Sequence, residues 1–333
     1  MAYTIRIKGS DVAFEAEPGE KIIDAAERAG IDLPHACRSG FCRCCRAKVV
    51  SGEFLTFAPG SKEGTPAAGE ILACTSVALS DGEIETTFKQ AVPAIPAEVT
   101  VFERLAPDVI RLVLKPQRGA PLVYSAGQFV DIFVGSERRS YSIASDPQAS
   151  AEGIELQIRH VPGGLFTDQL FGLKGKPIAK GSVLKISAPA GDFRLHKRTD
   201  HDIVFLMTGT GFAPAKAMIE SFIRLPSAKP HQIYLYWGGR TRADLYMDEL
   251  CRKWDAEHEW FHYCPVLSRE EGWEGRKGHV QDAFLADHPD ASGFDAYFCG
   301  SPRLVADGTA ALTRAGADPE RIYSDAFTSK ADA

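Results

Sequence analysis

The sequence predicts a multidomain protein of mixed α+β and α/β class, with a small α+β domain, an antiparallel β-barrel and a parallel α/β domain in that order. Three observations carry this prediction. A chain of 333 residues is too long for a single hydrophobic core. An uncharged stretch with two prolines, residues 90–97, suggests a stiff linker. Beyond it, short strands between Gly and Pro turns give way to strands that alternate with helices. We therefore expect domains at residues 1–92, 98–197 and 200–333.

Composition narrows the class of protein. Hydrophobic residues make up 44% of the chain and charged residues 25%, as in ordinary globular proteins. No apolar run approaches the roughly 18 residues that a membrane helix needs, and a net charge of -6 offers no basic surface for nucleic acid. The N-terminus lacks a secretory signal pattern, and four of the eight cysteines crowd between residues 37 and 45, which suits metal ligands in a reducing compartment. We expect a cytoplasmic monomer that binds neither membranes nor nucleic acid.

Four cysteines dominate the first domain. They are Cys37, Cys42, Cys45 and Cys74. Their C-x4-C-x2-C…C spacing is the one by which plant-type ferredoxins hold a [2Fe-2S] cluster. A zinc site or buried structural cysteines are the alternatives, although zinc sites favour two separate C-x2-C pairs. A cluster at this position requires that the rest of the chain supply or accept electrons.

Regular elements surround these cysteines. The residue pattern predicts strands at 3–8, 12–16, 47–50, 71–75 and 83–88, and a helix over 21–29 that stops at Gly30. A small strand-rich unit with one helix before a cluster loop resembles the β-grasp ferredoxin fold.

The barrel contains one strand with polar and aromatic groups suited to a cofactor. Predicted strands are 99–103, 109–115, 128–134, 139–143, 154–160 and 183–188, with a helix at 166–172. Alternation points Arg139 and Tyr141 to the same face, with Ser142 next in the chain. A guanidinium can bind phosphate in bidentate fashion, and a tyrosine ring can stack on a flat heterocycle. An ordinary barrel strand is the alternative interpretation of this tetrapeptide taken alone.

A glycine pair follows in the same domain. Gly163 and Gly164 lead into the predicted helix that contains Thr167, and free N–H groups at a helix start favour an anion such as pyrophosphate. The alternative is a plain turn with Thr167 as the N-cap.

The last domain alternates strands and helices and contains a second glycine loop. Strands are predicted at 203–207, 233–237, 261–266 and 296–299, and helices at 214–224, 243–257, 280–286 and 302–315, on both faces of a parallel sheet. Gly209, Thr210, Gly211 and Pro214 form a G-x-G-x-x-P loop between the first strand and its helix, a context typical of phosphate binding. Cys299 ends the last predicted strand at the same edge of the sheet.

Taken in order, these motifs resemble the ferredoxin-NADP reductase superfamily. The motifs are Arg139-x-Tyr-Ser142, Gly164-x-x-Thr167, Gly209-Thr-Gly-x-x-Pro214 and Cys299-Gly-x-Pro302. With the cluster domain in front, the whole chain resembles the reductase components of bacterial oxygenases, such as those serving naphthalene and benzoate dioxygenases and soluble methane monooxygenase. Residues 158–164 and 321–327 look closest to the naphthalene-dioxygenase type and to CDP-6-deoxy-glucoseen reductases.

The resemblance implies the cofactors [2Fe-2S], FAD and NADH, and a role for each motif residue. Arg139 would contact the flavin phosphates, Tyr141 would stack on the isoalloxazine, and Ser142 would bond near the flavin N5. The remaining implied roles are pyrophosphate binding for Gly163, Gly164 and Thr167, dinucleotide binding for Gly209, Thr210, Gly211 and Pro214, contact with the nicotinamide for Cys299, and cover of the flavin for Phe327 with Asp325 beside it. We therefore expect Ser142, Cys299 and Asp325 at the site of hydride transfer.

The chain departs from its relatives at Arg43, where many of them have glycine between the second and third cysteine ligands. A side chain at this position restricts the loop backbone, and its positive charge could raise the cluster potential. Cys44 is an extra thiol between ligands, and we expect it to be a bystander.

Electron counting orders the cofactors. Nicotinamide gives two electrons as hydride and a [2Fe-2S] cluster carries one, so a flavin must lie between them. We expect electrons to pass from NADH through FAD to the cluster and on to a terminal oxygenase or another redox acceptor protein. A reductase that serves a dehydratase in dideoxysugar synthesis is the main alternative, and a non-enzymatic iron-sulfur carrier or zinc-binding module is a further one. Arg240 and Arg242 follow the second strand of the last domain and leave NADPH open.

Overall fold

The computed structural model describes residues 2–35, 40, 43–57, 68–90, 94–117, 122–135, 137–196, 201–225 and 232–327. Two predicted cluster ligands, Cys37 and Cys42, lie outside these residues. The described chain divides into two compact units, one ending at residue 90 and the other comprising residues 94–327. Within the described residues, no helix has both the length and the apolar character to cross a membrane.

The smaller unit is a mixed sheet with one helix against it. Its elements are β1 (Tyr3–Ile7), β2 (Ala13–Ala16), α1 (Ile22–Arg28), β3 (Ile31–Asp32), β4 (Arg46–Ser51), β5 (Phe54–Thr56), β6 (Glu70–Leu72), β7 (Ser76–Ala78), β8 (Gly82–Glu85) and β9 (Lys89–Gln90). The main sheet has the order β2-β1-β8-β4-β6, with β1 and β8 parallel. Ile22, Ile23, Ala25 and Ala26 of α1 are buried and join the core of this unit.

The strand predicted at 71–75 is shorter than expected. Strand β6 ends at Leu72, where the Thr75 amide donates to the Leu72 carbonyl (N···O 2.8 Å) and closes a turn. The Ser76 hydroxyl also donates to the Leu72 carbonyl (2.8 Å). Because this turn replaces the strand, Cys74 lies in a turn beside Cys45.

The first half of the larger unit is an antiparallel barrel. Its elements are β10 (Ile95–Ala106), β11 (Val109–Pro116), β12 (Phe129–Val134), β13 (Glu137–Ser142), β14 (Ile154–Arg159), α2 (Leu165–Leu170) and β15 (Val183–Ile186). The strand order is β13-β12-β15-β10-β11-β14. A bridge between Ile143 and Leu156, and a hydrogen bond from the Ala144 amide to the Glu155 carbonyl (2.8 Å), join the two edge strands. These contacts close the sheet around a core of branched aliphatic side chains.

The stretch predicted as a linker is partly strand. Strand β10 begins at Ile95, and Ile95 to Ala97 pair with Ile186 to Leu184 of β15. Pro96 is compatible with this strand because it needs only an exposed strand position without an N–H bond. The first strand of the barrel therefore begins inside the proline-containing stretch.

The second half of the larger unit is a parallel sheet covered by helices. Its elements are β16 (Asp202–Thr208), α3 (Phe212–Arg224), β17 (Ile233–Gly239), α4 (Asp248–Glu257), β18 (Phe261–Leu267), β19 (Arg276–Lys277), α5 (Val280–Asp287), β20 (Phe294–Gly300), α6 (Pro302–Arg314) and β21 (Ile322–Ala326). The order β19-β18-β17-β16-β20-β21 reverses direction between β16 and β20. Ligands of open α/β sheets bind at such a reversal, beyond the carboxyl ends of the strands.

Two predictions for this sheet need correction. The helix predicted over 243–257 begins only at Asp248, because Arg242–Asp244 forms a separate 3-10 turn. The Asp244 carboxylate accepts the amides of Arg240 (2.8 Å) and Thr241 (3.0 Å) and so stabilises that turn. Strand β21, which pairs with β20, was not predicted, since its sequence is short and half polar.

Candidate functional site

Two of the four predicted cluster ligands meet in the smaller unit. The Sγ atoms of Cys45 and Cys74 are 3.0 Å apart, and both side chains are buried. The Ala73 amide donates to the Cys45 carbonyl (2.9 Å), which holds the bend of Cys74 against the start of β4. Paired thiols at one buried point have the donor chemistry that an iron-sulfur cluster requires.

Arg43, next to this pair, has an unusual backbone. Its φ is +58°, and it is the one non-glycine residue with positive φ in the described chain. An L-residue in this region costs about 1–2 kcal/mol relative to glycine. The side chain is exposed, so no packing contact in a core explains the choice of arginine.

The predicted flavin contacts lie on β13. Arg139 donates to the Glu137 carboxylate (Nη2···Oε2 2.6 Å) and to the Arg138 carbonyl (Nη1···O 2.6 Å). The Tyr141 ring lies 5.6 Å from the buried ring of Phe166, centroid to centroid, and burial raises the Tyr141 pKa above its usual value. Ser142 is buried at the end of the strand, opposite Phe129. The Arg139 guanidinium is thus already paired with residues of its own strand.

The glycine pair before α2 forms a tight turn. Gly163 has φ +76°, and Gly164 is the N-cap of the helix, so the alternative that made Thr167 the N-cap is wrong. The Thr167 hydroxyl instead donates to the Val161 carbonyl (2.9 Å) and accepts from the Val161 amide (3.2 Å). A Cβ on Gly164 would strike this hydroxyl, which explains glycine at that position.

The second glycine loop lies at the reversal of the parallel sheet. Gly209 has φ +55°, and its carbonyl accepts a hydrogen bond from Trp237 Nε1 (3.0 Å). The Trp237 ring stacks on Phe212 at a centroid distance of 4.1 Å. Thr210 lies in the 3-10 turn between Gly209 and Gly211, and Pro214 is buried in the first turn of α3. The stacked rings of Trp237 and Phe212 therefore support the loop.

Cys299 contacts both this loop and the last strand. Gly211 lies so close that a Cβ there would collide with the Cys299 carbonyl. Asp325 is the register partner of Cys299 on β21. Cys299 is 0% exposed, and burial first, then the charge of Asp325, raises the pKa of its thiol well above the usual value. Two of the three residues predicted at the hydride site are therefore neighbours.

Phe327 and Ser142 were also predicted near the hydride site with Cys299 and Asp325. The Phe327 amide donates to the Gly300 carbonyl (2.7 Å), which places Phe327 at the same edge of the sheet as Cys299. Ser142 belongs to the barrel, and two residues after it the Ala144 carbonyl accepts a hydrogen bond from Nζ of Lys216 in α3 (3.0 Å).

Arg159 is a site residue that the sequence motifs missed. It ends β14, and its guanidinium lies 3.8 Å from the position of a Cβ on Gly209. Its Nη1 donates to Asp244 Oδ1 (2.7 Å) and lies 3.3 Å from Asp108 Oδ2. Within the described residues, its Nε and Nη2 are buried without a hydrogen-bond partner. Buried donors without an acceptor are costly, so a phosphate beside the glycine loop fits this position.

Asp244 is held as a carboxylate by the same arrangement. Burial alone would raise its pKa, but the hydrogen bonds from Arg159 and from the Thr241 and Arg240 amides outweigh burial and lower the pKa below the usual value. The only sequence signal for Arg159 was its place in the stretch that resembles naphthalene-dioxygenase reductases.

Known protein families and relatives match the whole arrangement. A 2Fe-2S iron-sulfur cluster binding domain matches residues 5–79, an oxidoreductase FAD-binding domain residues 96–195 and an oxidoreductase NAD-binding domain residues 205–309. The CDP-6-deoxy-L-threo-D-glycero-4-hexulose-3-dehydrase reductase of Yersinia pestis is 32% identical over 98% of this chain and 99% of that protein. The terephthalate 1,2-dioxygenase reductase component 1 of a Comamonas species is 31% identical over 98% of both chains.

A solved structure agrees. The Amycolatopsis cytochrome P450 reductase GcoB is 31% identical, with a TM-score of 0.76 over 98% of this chain and 99% of that one. The chain belongs to the family of iron-sulfur flavoprotein reductases. The predicted fold class, with its ferredoxin, flavin-binding and parallel nucleotide-binding parts, is confirmed, as is the resemblance on which it rested.

The reductase is an oxidoreductase that uses a [2Fe-2S] cluster, FAD and NAD, as its three domain matches establish. Its own residues fit these groups. The converging thiols of Cys45 and Cys74 suit iron, and the unsatisfied donors of Arg159 beside Gly209 suit a phosphate. Its relatives are electron-transfer components of oxygenase or dehydrase systems.

Proposed function

We propose that this reductase passes electrons from NADH through FAD to its [2Fe-2S] cluster and then to a terminal oxygenase of the aromatic-ring hydroxylating type. The observation that most supports the proposal is Arg159, a residue of the flavin domain, beside the glycine loop of the nucleotide domain. One compact unit thus carries both halves of a hydride-transfer site.

Each cofactor has assigned residues in this proposal. Cluster ligands are Cys37, Cys42, Cys45 and Cys74; flavin contacts are Arg139, Tyr141, Ser142, Gly163, Gly164, Thr167 and Phe327; nucleotide contacts are Gly209, Thr210, Gly211, Pro214 and Cys299. The chemistry that the flavin supplies is the conversion of a two-electron hydride into single electrons for the cluster. The protein binds and orients the groups, and no side chain acts as a nucleophile.

Several side chains set the conditions for that chemistry. Arg139 would hold the flavin phosphate, and Arg159 would offer the dinucleotide the N–H groups of its two unsatisfied nitrogens, Nε and Nη2. Cys299, fully buried and protonated, would lie beside the bound nicotinamide and would exclude water at that point. Asp325, the partner of Cys299 on β21, would lie beside it at the same edge of the sheet.

NADH is the proposed donor in preference to NADPH. Arg242, one of two cations available for a 2′-phosphate, lies over the Trp273 ring (4.7 Å to its centroid) and 3.5 Å from Glu270 Oε1. A guanidinium already paired with a carboxylate attracts phosphate less strongly. We further propose the domain bounds 1–92, 98–197 and 200–333, and a monomer that acts in the cytoplasm without nucleic acid or membrane partners.

The acceptor is proposed from the relatives. Several serve oxygenases, among them the Comamonas terephthalate dioxygenase component. A second candidate is the reductase of a CDP-sugar dehydrase, favoured by the Yersinia relative that matches over 99% of its length. NADH-driven turnover with a purified ring-hydroxylating oxygenase, run beside a purified CDP-sugar dehydrase, separates the two, because only the true partner supports product formation.

Substitution of Cys74 tests the route of the electrons. Cys74→Ser should abolish NADH-dependent reduction of cytochrome c while leaving ferricyanide reduction largely intact, because ferricyanide can take electrons before they reach the cluster. Cys44→Ser, at a cysteine that lies between ligands, is the matched control and should keep both activities. Equal loss of both activities in Cys74→Ser, or a purified wild-type protein without flavin and iron-sulfur absorption, would refute the route.

A further inference from the structure

Strand β14 has two faces with different partners. The set that points into the barrel is Ile154, Leu156 and Ile158, and the set that points out is Glu155, Gln157 and Arg159. Glu155 and Gln157 are each only 4% exposed, although an outward face of an edge strand would normally be wet. Something must cover this polar face of β14 and satisfy its hydrogen bonds.

The cover is the nucleotide domain, which meets each polar residue with a different element. Gln157 Oε1 accepts from the Tyr246 hydroxyl (2.7 Å), before α4. Arg159 bonds Asp244 in the preceding 3-10 turn. Glu155 Oε2 lies 3.5 Å from Nζ of Lys216 in α3. Three contacts at alternate residues of one strand fix the position of the nucleotide domain along β14.

Lys216 is the most deeply buried cation of this contact. It is 6% exposed, and its Nζ donates to the Ala144 carbonyl (3.0 Å) and to Glu220 Oε1 (2.8 Å) in addition to Glu155. Ala144 is two residues beyond Ser142, at the point where the barrel closes. The Lys216 ammonium therefore connects Ala144, just beyond β13, to α3, the helix that follows the glycine loop 209–214.

A second set of contacts keeps α3 in register. The carboxylate of Asp146, 2% exposed, accepts from the Arg224 guanidinium and from the Ser221 hydroxyl (3.3 Å). Lys216, Glu220 and Arg224 are spaced four residues apart, so they lie on one face of the helix. Contacts at both ends of that face oppose sliding of α3 along the barrel.

We propose that Lys216 is a positioning residue for hydride transfer. It fixes α3, and with it residues 209–214, relative to residues 141–146, so that the nicotinamide and flavin sites meet at a reactive distance. The inference rests on the proposed function and adds a residue with no part in binding either cofactor. A displacement of about 1 Å at a reacting centre can cost on the order of a hundredfold in rate, which gives a buried ammonium at this joint a function beyond stability.

Removal of the charge requires a paired substitution. Lys216→Met alone leaves the carboxylate of Glu155 buried and partly uncompensated, which destabilises the fold. The double variant Lys216→Met with Glu155→Gln removes both charges. Arg111, whose Nε donates to Glu155 Oε2 (3.0 Å) in the wild type, keeps its contact with Glu103 (3.0 Å) in the variant. Lys216→Arg retains the charge and tests rescue. Lys253→Met, at an exposed ion pair with Glu257 on α4, is the matched control.

The decisive measurement is anaerobic stopped-flow reduction by NADH. We expect the double variant to keep its FAD content and its apparent NADH affinity within about threefold, but to lose about ten- to hundredfold in the limiting rate of flavin reduction. The nicotinamide-flavin charge-transfer absorbance should fall with it, and amide hydrogen exchange at residues 143–146 should quicken. Lys216→Arg should recover most of the rate, and Lys253→Met should match the wild type.

The outcomes separate this inference from the proposed function. An unchanged limiting rate and charge-transfer band in a folded, flavin-loaded double variant would overturn the positioning role. A uniform loss of FAD and NADH affinity would also overturn it, because it would make Lys216 a binding or purely structural residue. If NADH fails to reduce the flavin of the wild-type protein, the proposed function itself is wrong.

Discussion

The edge strands β13 and β14 meet where the barrel closes, yet their polar side chains have different tasks. On β13, Arg139 and Tyr141 contact residues of their own domain and leave groups available for a cofactor. On β14, Glu155, Gln157 and Arg159 contact the nucleotide domain. A hydride-transfer enzyme needs both kinds of strand, because binding two cofactors is useless unless their reactive atoms are brought together.

Arg139→Ala should show the largest effect and should be confined to cofactor binding. Loss of a charge-assisted bidentate contact with phosphate costs about 3 kcal/mol, so the dissociation constant for FAD should rise on the order of a hundredfold. Flavin content after gel filtration measures this. Arg138→Ala is the control, since its guanidinium lies over the Phe133 ring (4.9 Å). Full flavin retention in Arg139→Ala would contradict the phosphate role.

The sequence pointed to the polar side chains of β13 but not to those of β14, and the reason is physical. Arg139-x-Tyr-Ser142 is contiguous, so its chemistry can be recognised locally. The alternation of Ile154 to Arg159 was equally visible and correctly predicted a strand. What covers its polar residues depends on Lys216, Asp244 and Tyr246, which lie 61, 85 and 89 positions away. Their approach follows from the docking of two domains, which no local pattern encodes.

Arg159→Ala should have the next largest effect and should leave the flavin in place. Loss of a charged contact with the dinucleotide costs about 2 kcal/mol, which corresponds to roughly a thirtyfold fall in kcat/KM for NADH. The same assay with NADPH tests the preference for NADH. Arg104→Ala, whose guanidinium lies over Phe171 (5.0 Å), is the control. Loss of FAD in Arg159→Ala would show that β14 also serves flavin binding, which contradicts the proposed difference between β13 and β14.

Tyr246→Phe should have a smaller effect, mainly on stability. Its buried hydroxyl donates to Gln157 across the domain contact, and loss of this bond, worth about 1 kcal/mol, should lower the Tm by about 2–4 °C. Tyr263→Phe removes a bond of similar length to Asp248 inside the nucleotide domain (2.8 Å). Differential scanning calorimetry and NADH kinetics should show similar stability losses, with a change in flavin reduction only for Tyr246→Phe. The same kinetic change in both variants would deny β14 a special role.

Cys299 tests whether a buried residue predicted at the hydride site takes part in proton transfer or only packs there. By resemblance it belongs with the reacting groups, but burial raises the pKa of its thiol well above the usual value. The raised pKa means that folding favours the protonated form, so this contribution to stability is complete below the unfolded pKa of about 8.5 and is lost as pH rises toward the folded value.

Because the thiol stays protonated, Cys299 should contribute no ionisation to flavin reduction between pH 6 and 9. The pH profile of the limiting rate should therefore have the same shape in the wild type and in Cys299→Ala, with the variant lower at every pH because the smaller side chain leaves a cavity at a fully buried position. Unfolding measured from pH 8 to 10 should show that the wild type loses stability relative to Cys299→Ala as pH rises. If the limiting rate of the wild type changes with pH between 6 and 9 and this change is absent in Cys299→Ala, the thiol does take part in the proton chemistry of the site.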